Sequence, residues 1–363
     1  METADKLKQS FSACGYKLAN HGDRTVSILK EALDGVPGSM ESDVYGTGEV
    51  IEQFQKKMAD YLGKEDAVFF PSGTMAQQIG LRIWADQKHT HNVAYHPLSH
   101  LEIHEEDGLK ELHHLEPLLL GAEDRLITLE DVKGLDSSVG CLLLELPQRE
   151  IGGQLPTFEE LERISEYCKT TGIKLHLDGA RLWECLPYYQ KSAADICALF
   201  DSVYVSFYKG LGGVAGAILA GDRSFIDESK VWKRRHGGDL ISLYPYILSA
   251  DYYFDKRIQQ MSMYHEEACQ AAERFNRCAD VATNPQVPVT NMFHVHIARS
   301  KEEVSALLQQ LQQELGVGLT GNLVERGPNS CSFELSFGDA YRKIPTELLD
   351  RTFEELDNKL KKR

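Results

Sequence analysis

Two apolar stretches of strand length each end in a single ionisable residue, and this repeated pattern constrains the fold more than any other feature of the sequence. The run from Ser202 to Phe207 leads to Lys209, and glycines follow the lysine at once. The run from Ile173 to Leu177 leads to Asp178, which is followed by Gly-Ala-Arg. Open α/β sheets bind ligands at the carboxyl ends of their strands. The pattern therefore predicts that Lys209 and Asp178 meet in one ligand site at one sheet edge.

The two residue types at these strand ends indicate a particular cofactor. A lysine amine is a nucleophile only when it is neutral, and its ordinary pKa of about 10.4 leaves it protonated at pH 7 unless burial lowers that pKa. Pyridoxal phosphate (PLP) needs a lysine to hold its aldehyde as a Schiff base and a carboxylate to keep its ring nitrogen protonated. Lys209 and Asp178 supply both groups, so they predict a PLP site.

Two further motifs complete a recognisable order. Ser72, Gly73 and Thr74 follow a buried strand and open a helix, where backbone N–H groups and hydroxyls can bind a phosphate; a plain Ser/Thr helix cap is the alternative. The Asp-Val-Tyr-Gly sequence at residues 43–46 leads into another helix. With these motifs, most of the first 240 residues resemble the threonine aldolase group of fold-type-I PLP enzymes, the β-eliminating lyase family.

The resemblance implies a set of cofactor contacts. Lys209 would hold PLP covalently, Asp178 would contact its ring nitrogen, and His100 would stack on its ring. Ser206, three residues before the lysine, is a further phosphate candidate, and Tyr45 would lie near the phosphate, with a subunit interface as one setting. The full cofactor set implied in this way is Tyr45, Ser72, Gly73, Thr74, His100, Asp178, Ser206 and Lys209.

The resemblance also implies a reaction on an amino-acid substrate. Aldol cleavage of a β-hydroxy-α-amino acid to glycine and an aldehyde is the first expectation, and β-elimination or transamination at the same site is the enzymatic alternative. Lys209, Asp178, His100 and Arg181 are the implied catalytic residues. Arg181 would bind the cofactor oxygen or the substrate carboxylate, and Gln148 would face the substrate hydroxyl.

Three histidines at four-residue spacing offer a competing interpretation. His96, His100 and His104 on one helix face would suggest metal ligands. However, Pro97 and the acidic residues around these histidines favour one ring-stacking histidine and two surface histidines. We therefore predict no metal site.

The chain departs from the family's pattern where the substrate is bound. Relatives carry a histidine at the position of Gln148, and glutamine cannot exchange a proton near neutral pH; Arg149 or Glu150 could substitute. Residues 22–27 read Gly-Asp-Arg-Thr-Val-Ser and have no serine at the position where relatives contact the substrate carboxylate. The strand from residue 331 to 337 lacks the arginine that relatives use for the same carboxylate. What replaces these groups is left open by the sequence.

A further departure concerns the phosphate and widens the choice of function. Ile241 falls where relatives have a phosphate-binding arginine, and Arg234 or Arg235 is the candidate replacement. The altered positions favour a second class of function, a PLP-fold protein with a binding or regulatory role. Lys209 and Asp178 count against this class, because a chain released from chemistry has no need of either residue.

The order of strands and helices predicts the fold class and the domains. Strands alternate with helices through residues 48–250, which predicts a large α/β domain with a mostly parallel sheet and helices on both faces. The resemblance makes this the fold-type-I, PLP-dependent transferase-like fold. Residues 251–363 predict a small α+β domain, because their strands alternate in polarity and are covered by helices. Residues 1–47 are interpreted as an N-terminal arm.

Charge and composition restrict the partners and the compartment. The formal net charge of −16 argues against a nucleic-acid partner, since phosphate binding needs a basic face. No apolar run is long enough to span a bilayer, and the first residues lack a signal-peptide pattern, so a cytoplasmic protein is expected. The eight cysteines contain no C-x-x-C pair and predict buried reduced thiols. The resemblance implies a homodimer or homotetramer.

Overall fold

Helices and strands account for most of the chain, and the computed structural model describes residues 2–362. Its α-helices are α1 (Glu2–Ala13), α2 (Ser27–Leu33), α3 (Glu49–Leu62), α4 (Gly73–Gln87), α5 (His100–Ile103), α6 (Gly108–His113), α7 (Leu129–Lys133), α8 (Phe158–Thr171), α9 (Leu182–Tyr189), α10 (Ala193–Cys197), α11 (Arg223–Arg235), α12 (Tyr244–Arg257), α13 (Met261–Asn276), α14 (Lys301–Leu315) and α15 (Thr346–Lys361). Its strands are β1 (Tyr16–Lys17), β2 (Asp66–Phe70), β3 (Asn92–Tyr95), β4 (Glu116–Leu119), β5 (Cys141–Glu145), β6 (Lys174–Gly179), β7 (Ser202–Ser206), β8 (Ala217–Gly221), β9 (Val281–Asn284), β10 (Met292–Ile297), β11 (Val317–Gly318), β12 (Val324–Gly327) and β13 (Ser330–Ser336).

A seven-stranded sheet organises the larger of two compact units, which comprises residues 25–150 and 155–259. Its strand order is β2-β8-β7-β6-β5-β3-β4, and the pairs from β7 to β4 are all parallel, while β8 runs antiparallel to both neighbours. Every residue of β7 and β8 is buried. Strands covered on both faces read as continuous apolar runs, which explains why these segments lack alternation. The predicted α/β fold with a mostly parallel sheet is confirmed.

The strand order brings three chemically important strand ends together. β5, β6 and β7 are neighbours, with Glu145 opposite Asp178 and Asp178 opposite Tyr204 in the parallel registers. Because parallel strands end at the same edge, the turns that follow them converge there. Helix α4 packs against β6 and β7, and its Gly80 approaches closely, since an added Cβ would lie 3.3 Å from the His176 ring. The sheet and α4 thus form the framework of the candidate site.

The second unit comprises residues 2–24, 151–154 and 260–362. Its four-stranded sheet has the order β12-β13-β10-β9, with every pair antiparallel, and β1 and β11 form a separate parallel pair. Ser300 caps α14 by accepting a hydrogen bond from the Glu303 N–H at 3.3 Å. Strand β13 carries Phe333, which is buried, and Glu334, which lies 3.7 Å from His294. The small antiparallel α+β unit expected from the sequence is therefore present.

The compact units divide the chain differently from the predicted boundaries. The first 24 residues belong to the smaller unit, because β1 pairs with β11 and α1 packs against α14, so the segment 1–47 is not one arm. The polar pattern from residue 251 to residue 278 predicts one long helix, and this prediction is wrong. Helix α12 ends at Arg257, a 3₁₀ turn follows, and α13 starts at Met261. This turn contains neither glycine nor proline, so no signal for a helix break is visible in its residues.

Two further expectations concern the cysteines and the membrane. All eight cysteines are free thiols, and seven of them are buried, as the spacing predicts. Within residues 2–362, no helix combines the length and the apolar composition needed to cross a bilayer.

Candidate active site

Asp178 is a buried carboxylate held at the end of β6. The residue is 1% exposed. Its Oδ2 accepts a hydrogen bond from Nε2 of Gln77 at 2.7 Å, and its Oδ1 accepts one from the Ala180 N–H at 3.0 Å. Gln77 reaches the carboxylate from the first turns of α4. Both donors are neutral, and two carboxylate oxygens can accept about four hydrogen bonds, so Asp178 can also bind a protonated ring nitrogen.

Lys209 lies in a tight turn just beyond β7. The Gly212 N–H donates to the Lys209 carbonyl at 2.9 Å, and the Gly213 N–H donates to the Phe207 carbonyl at 2.7 Å. Burial lowers the pKa of the Lys209 amine, the positive charge of Arg181 lowers it further, and Asp178 opposes both effects. The net lowering increases the fraction of neutral amine at a given pH, which a nucleophilic lysine requires.

The turn after Lys209 rests on a buried carboxyl group that the sequence analysis missed. Glu184 is 2% exposed, and a Cβ added to Gly210 would lie 1.9 Å from its Oε1, so only glycine fits at position 210. The Gly210 N–H donates to this carboxyl group. Among the described residues, Oε2 of Glu184 has no hydrogen-bond partner. Burial raises the pKa of Glu184 to about 7, so its charge changes near neutral pH.

Glu145 is a second acid that the sequence analysis missed. It ends β5 directly opposite Asp178 in the sheet, so the strand-end pattern that revealed Asp178 also pointed to it. Its Oε2 accepts from Nε2 of Gln148 at 3.3 Å, and its Oε1 accepts from the Arg149 N–H at 3.2 Å. Burial, followed by the charge of Asp178, raises the pKa of Glu145. The site therefore combines an ionisable acid that favours its neutral form with a carboxylate at Asp178.

The residues predicted to bind phosphate lie at the start of α4. Ser72 is the N-cap, and its Oγ accepts from the Met75 N–H at 3.5 Å, which is the capping role weighed as the alternative. A Cβ added to Gly73 would lie 2.0 Å from Oη of Tyr204, so a side chain has no room there. The first N–H groups of a helix have no intrahelical partner. Gly73 and Thr74 thus present backbone donors suited to an anion.

Ser206 takes a different part from the predicted phosphate contact. Its Oγ donates to the Ala180 carbonyl at 2.7 Å, and the residue is 1% exposed. This hydrogen bond joins the end of β7 to the turn that follows Asp178. A hydroxyl has one proton to donate, so in this arrangement Ser206 fixes the relative position of the Asp178 and Lys209 turns.

Tyr45 and the two candidate arginines form a group of aromatic contacts. Tyr45 is half exposed, and the guanidinium of Arg234 lies 4.8 Å from the centre of its ring. Its N–H donates to the Ile241 carbonyl at 3.2 Å. Arg235 lies over the ring of Trp232 at 4.7 Å. Both arginines are therefore partnered by aromatic rings, and their predicted phosphate contacts remain predictions.

His100 begins α5 and is held by an acid. Its Nδ1 lies 3.2 Å from Oε1 of Glu105, whose Oε2 accepts from Nε2 of Gln78 at 2.9 Å. The His100 side chain is 34% exposed. Among the described residues, no group of three potential ligands is arranged to hold a metal.

The three histidines do not share one helix face. His96 precedes the four-residue helix α5, and its Nε2 lies 3.0 Å from the Ala122 carbonyl and 2.9 Å from the Arg125 carbonyl. The residue is 2% exposed, so the prediction of a surface histidine at this position is wrong. Pro97 ends the helical continuity that the spacing suggested, because its neighbour is disfavoured in helical conformation.

Gln148 is buried close to these groups. Its Nε2 donates to the Leu98 carbonyl at 3.2 Å as well as to Glu145. Both amide hydrogens are thereby engaged, and the amide orientation follows from this pattern. Arg181 precedes α9, and its charge lowers the pKa of both Lys209 and Glu184. Both residues predicted to bind substrate therefore lie in the larger unit, as do Asp178 and Lys209.

The fold and the site together define the class of this protein. A mostly parallel sheet with a lysine and an aspartate on adjacent strand ends, beside a helix N-terminus, is the arrangement of the fold-type-I PLP-dependent enzymes.

Comparison with known sequences then gives the family. The sequence model of the β-eliminating lyase family matches residues 36–298, and the chain belongs to this family of PLP-dependent lyases. A low-specificity L-threonine aldolase of Candida albicans is 28% identical over 326 residues, which cover 86% of this chain and 84% of that protein.

Two solved structures are much more similar. A Listeria monocytogenes protein assigned as an L-allo-threonine aldolase is 61% identical, with a TM-score of 0.98 over 99% of this chain and 100% of its own. An Exiguobacterium protein assigned as an aromatic amino acid β-eliminating lyase or threonine aldolase is 56% identical, with a TM-score of 0.96 over 98% of this chain and 99% of its own. The predicted fold class and family are confirmed.

Proposed function

We propose that this protein cleaves a β-hydroxy-α-amino acid of the threonine or allo-threonine type into glycine and an aldehyde, using PLP. The observation that carries the proposal is the juxtaposition of two groups: the lysine with a lowered pKa at the end of β7 and the buried carboxylate at the end of β6. The names of the relatives from Candida albicans and Listeria monocytogenes support this choice among PLP reactions.

The residues of the site fit PLP. Lys209 would bind its aldehyde carbon, Asp178 would accept a hydrogen bond from its ring nitrogen, and the N-terminus of α4 would hold its phosphate. The first N–H groups of α4 support the last assignment, because they have no intrahelical partner and can donate to an anion. When bound, PLP withdraws electrons from the bonds at the substrate's Cα. His100 is partly exposed and would stack on the cofactor ring.

The remaining residues would orient the amino acid. The positive charge of Arg181 lies close enough to Lys209 to lower its pKa, and the same charge would attract the substrate carboxylate. Gln148 donates both of its amide hydrogens within the protein, which leaves its carbonyl oxygen to accept a hydrogen bond from the substrate hydroxyl. Gln148 would thus hold the hydroxyl in place without removing its proton.

A product assay tests the proposal. The purified protein is incubated with PLP and a panel of β-hydroxy amino acids, and the release of glycine and aldehyde is measured. Lys209→Ala is the control for product release that does not depend on the proposed site. Equimolar glycine and aldehyde from threonine, allo-threonine or phenylserine would support it. Pyruvate from serine without aldehyde release would select β-elimination instead. Absence of any product would contradict a catalytic role and favour the regulatory alternative.

The predicted homodimer or homotetramer and the cytoplasmic location belong to the same proposal. Apolar side chains exposed on two adjoining loops support an assembly, and they are Val44, Tyr45, Leu240 and Ile241. Analytical ultracentrifugation of the protein would detect the assembly, and a single monomeric species at micromolar concentration would contradict it.

A further inference from the structure

The residues assigned so far include no acceptor for one proton that the proposed reaction transfers. Aldol cleavage removes the proton of the substrate's β-hydroxyl, and a positioned side chain that exchanges protons near neutral pH accelerates such a step. Gln148 faces this hydroxyl in the proposed arrangement, and an amide cannot take the proton. The acceptor must therefore come from the groups around Gln148 and His100.

His104 is the histidine that best fits this requirement. It directly follows α5, and its ring centre lies 5.1 Å from that of His100, with the two ring planes inclined at 52°. Its side chain is 41% exposed. By contrast, His96 and His176 are buried, and His100 is already assigned to stacking on the cofactor ring. His104 is thus an accessible imidazole beside the ring-stacking histidine.

Glu150 orients His104 from the segment that carries Gln148. Its Oε1 lies 3.0 Å from Nε2 of His104 and also accepts from Nη1 of Arg149 at 2.8 Å. A carboxylate at Nε2 requires the hydrogen on that nitrogen, so Nδ1 of the neutral ring carries the lone pair. The arginine and the glutamate were the sequence's candidates to replace the missing histidine. In the structure they instead hold a histidine that comes from another segment.

Glu145, the other acid near Gln148, is less suited to the task. Each of its oxygens already accepts a hydrogen bond from the protein, one from Gln148 and one from the Arg149 N–H. Glu145 also lies next to Asp178 in the sheet, and the charge of Asp178 contributes to its raised pKa. The geometry therefore favours His104 over Glu145.

We infer that Nδ1 of His104 accepts the proton of the β-hydroxyl, with Glu150 as the positioning residue; this inference rests on the proposed aldol cleavage. As the O–H bond breaks, the oxygen's electron pair forms the C=O bond of the aldehyde. The Cα–Cβ bond breaks, and its electron pair stays on Cα. His104 gives this proton up to the solvent, and Cα takes one proton from the solvent to complete glycine, so the protons balance and the reaction needs no further reactant.

The decisive experiment separates hydroxyl chemistry from all other steps. His104→Gln is assayed in two ways with saturating PLP: cleavage of phenylserine, which needs the β-hydroxyl proton removed, and exchange of the α-proton of glycine with D₂O, which does not. We expect kcat for cleavage to fall about 100-fold and glycine exchange to stay within about threefold of the parent. His91→Gln, at an exposed histidine of the same unit, is the matched control, with both rates unchanged.

A second variant tests the positioning role of Glu150, and three outcomes would contradict the proposals. Glu150→Gln, which keeps the size of the side chain but removes its charge, should lower cleavage about tenfold, again without loss of glycine exchange. Cleavage by His104→Gln within threefold of the parent would overturn the inference. An equal loss of both activities would also overturn it, because His104 would then act on the cofactor or the fold. A parent protein that exchanges glycine but cleaves nothing would refute the proposed aldolase function itself.

Discussion

Two groups of side chains in the larger unit differ in how they are built. The strand-end cluster, Gln77, Asp178, Glu184 and Lys209, lies on adjacent strand ends and the helices packed against them, and three of its four members are at most 2% exposed. The histidine cluster, His100, His104, Glu105 and Glu150, lies on a four-residue helix, the loop after it and a 3₁₀ turn, and its two histidines are 34% and 41% exposed. One group is set in the sheet, whereas the other is carried by short irregular elements.

The difference suggests how one fold supports several reactions. The strand-end cluster is set in the sheet framework, and in the proposed function it attaches the cofactor and keeps its ring protonated. Residues on short connecting elements can change at little structural cost. The departure from the family at Gln148 falls beside this second group, where the substrate hydroxyl is expected. We therefore expect substitutions in the two clusters to affect different steps.

The largest effect is expected from the nucleophile of the strand-end cluster. Lys209→Ala should reduce cleavage by about 10³-fold or more, because the amine that binds the cofactor is gone. Borohydride reduction should fix a pyridoxyl group on Lys209 of the parent, and peptide mapping should find it there. In the variant, no peptide should carry the group. A pyridoxyl group on a different lysine of the parent would remove the basis of the comparison.

Replacing one acid by its amide in each cluster should give the next largest effect. Asp178→Asn should lower both cleavage and glycine exchange about 100-fold, because an amide no longer stabilises a protonated ring nitrogen. Glu105→Gln should weaken the contact between Oε1 of Glu105 and Nδ1 of His100, which are 3.2 Å apart. We expect this change to lower the rate of cleavage about tenfold. Steady-state kcat and KM for phenylserine, measured with saturating PLP, compare the two variants. Equal losses would mean that the two clusters do not act on different steps.

The sequence predicted the two clusters unequally well. Lys209 and Asp178 were found because each ends its own apolar strand, a pattern visible along the chain. Gln77 and Glu184 reach the same place from helices α4 and α9, and no local pattern encodes a contact across 101 residues such as that of Gln77 with Asp178. His104 was considered only as part of a metal pattern, because its partner Glu150 is 46 residues away.

The elements themselves show the same division. Helix α3 and strand β10 have local signatures, because apolar residues recur at helical spacing along α3 and apolar and polar residues alternate along residues 293–297 of β10. The start of α12 does not follow from its own residues. Asp43, about 200 residues earlier, accepts hydrogen bonds from the N–H groups of Leu243 and Tyr244 at 2.8 Å each and so caps the helix. Such distant caps escape any argument from local sequence.

A glycine substitution tests how rigid the strand-end cluster is. Gly210→Ala places a Cβ 1.9 Å from Oε1 of Glu184, and the overlap should lower the free energy of unfolding by about 3 kcal/mol. The double variant with Glu184→Ala should recover part of this loss, because the two residues are in contact. Gly38→Ala, with no atom within 4 Å of the added Cβ, is the control. Urea denaturation measures the parent, Gly210→Ala, Glu184→Ala, the double variant and Gly38→Ala, and purely additive effects would contradict the contact.

The smallest effect concerns the charge on Glu184 and depends on pH. Burial raises its pKa from 4.5 to about 7 in the folded protein, so the folded state holds the proton more tightly than the unfolded state. Stability from this group is therefore full below pH 4.5 and is lost as the pH rises through 7. The loss amounts to at most about 3 kcal/mol. Glu184→Gln should remove this pH-dependent loss of stability, because an amide does not ionise.

The amide introduced at position 184 has its own cost, because Oε2 of the glutamate has no partner among the described residues and a buried N–H would take its place. We expect the variant to be more stable than the parent by about 1 kcal/mol at pH 8 and less stable at pH 5. Urea denaturation at both pH values checks the change of sign, and Glu166→Gln on the exposed face of α8 should show none. A difference that stays constant with pH would mean that Glu184 keeps an ordinary acid's titration, and the strand-end cluster would then be as open to water as the histidine cluster.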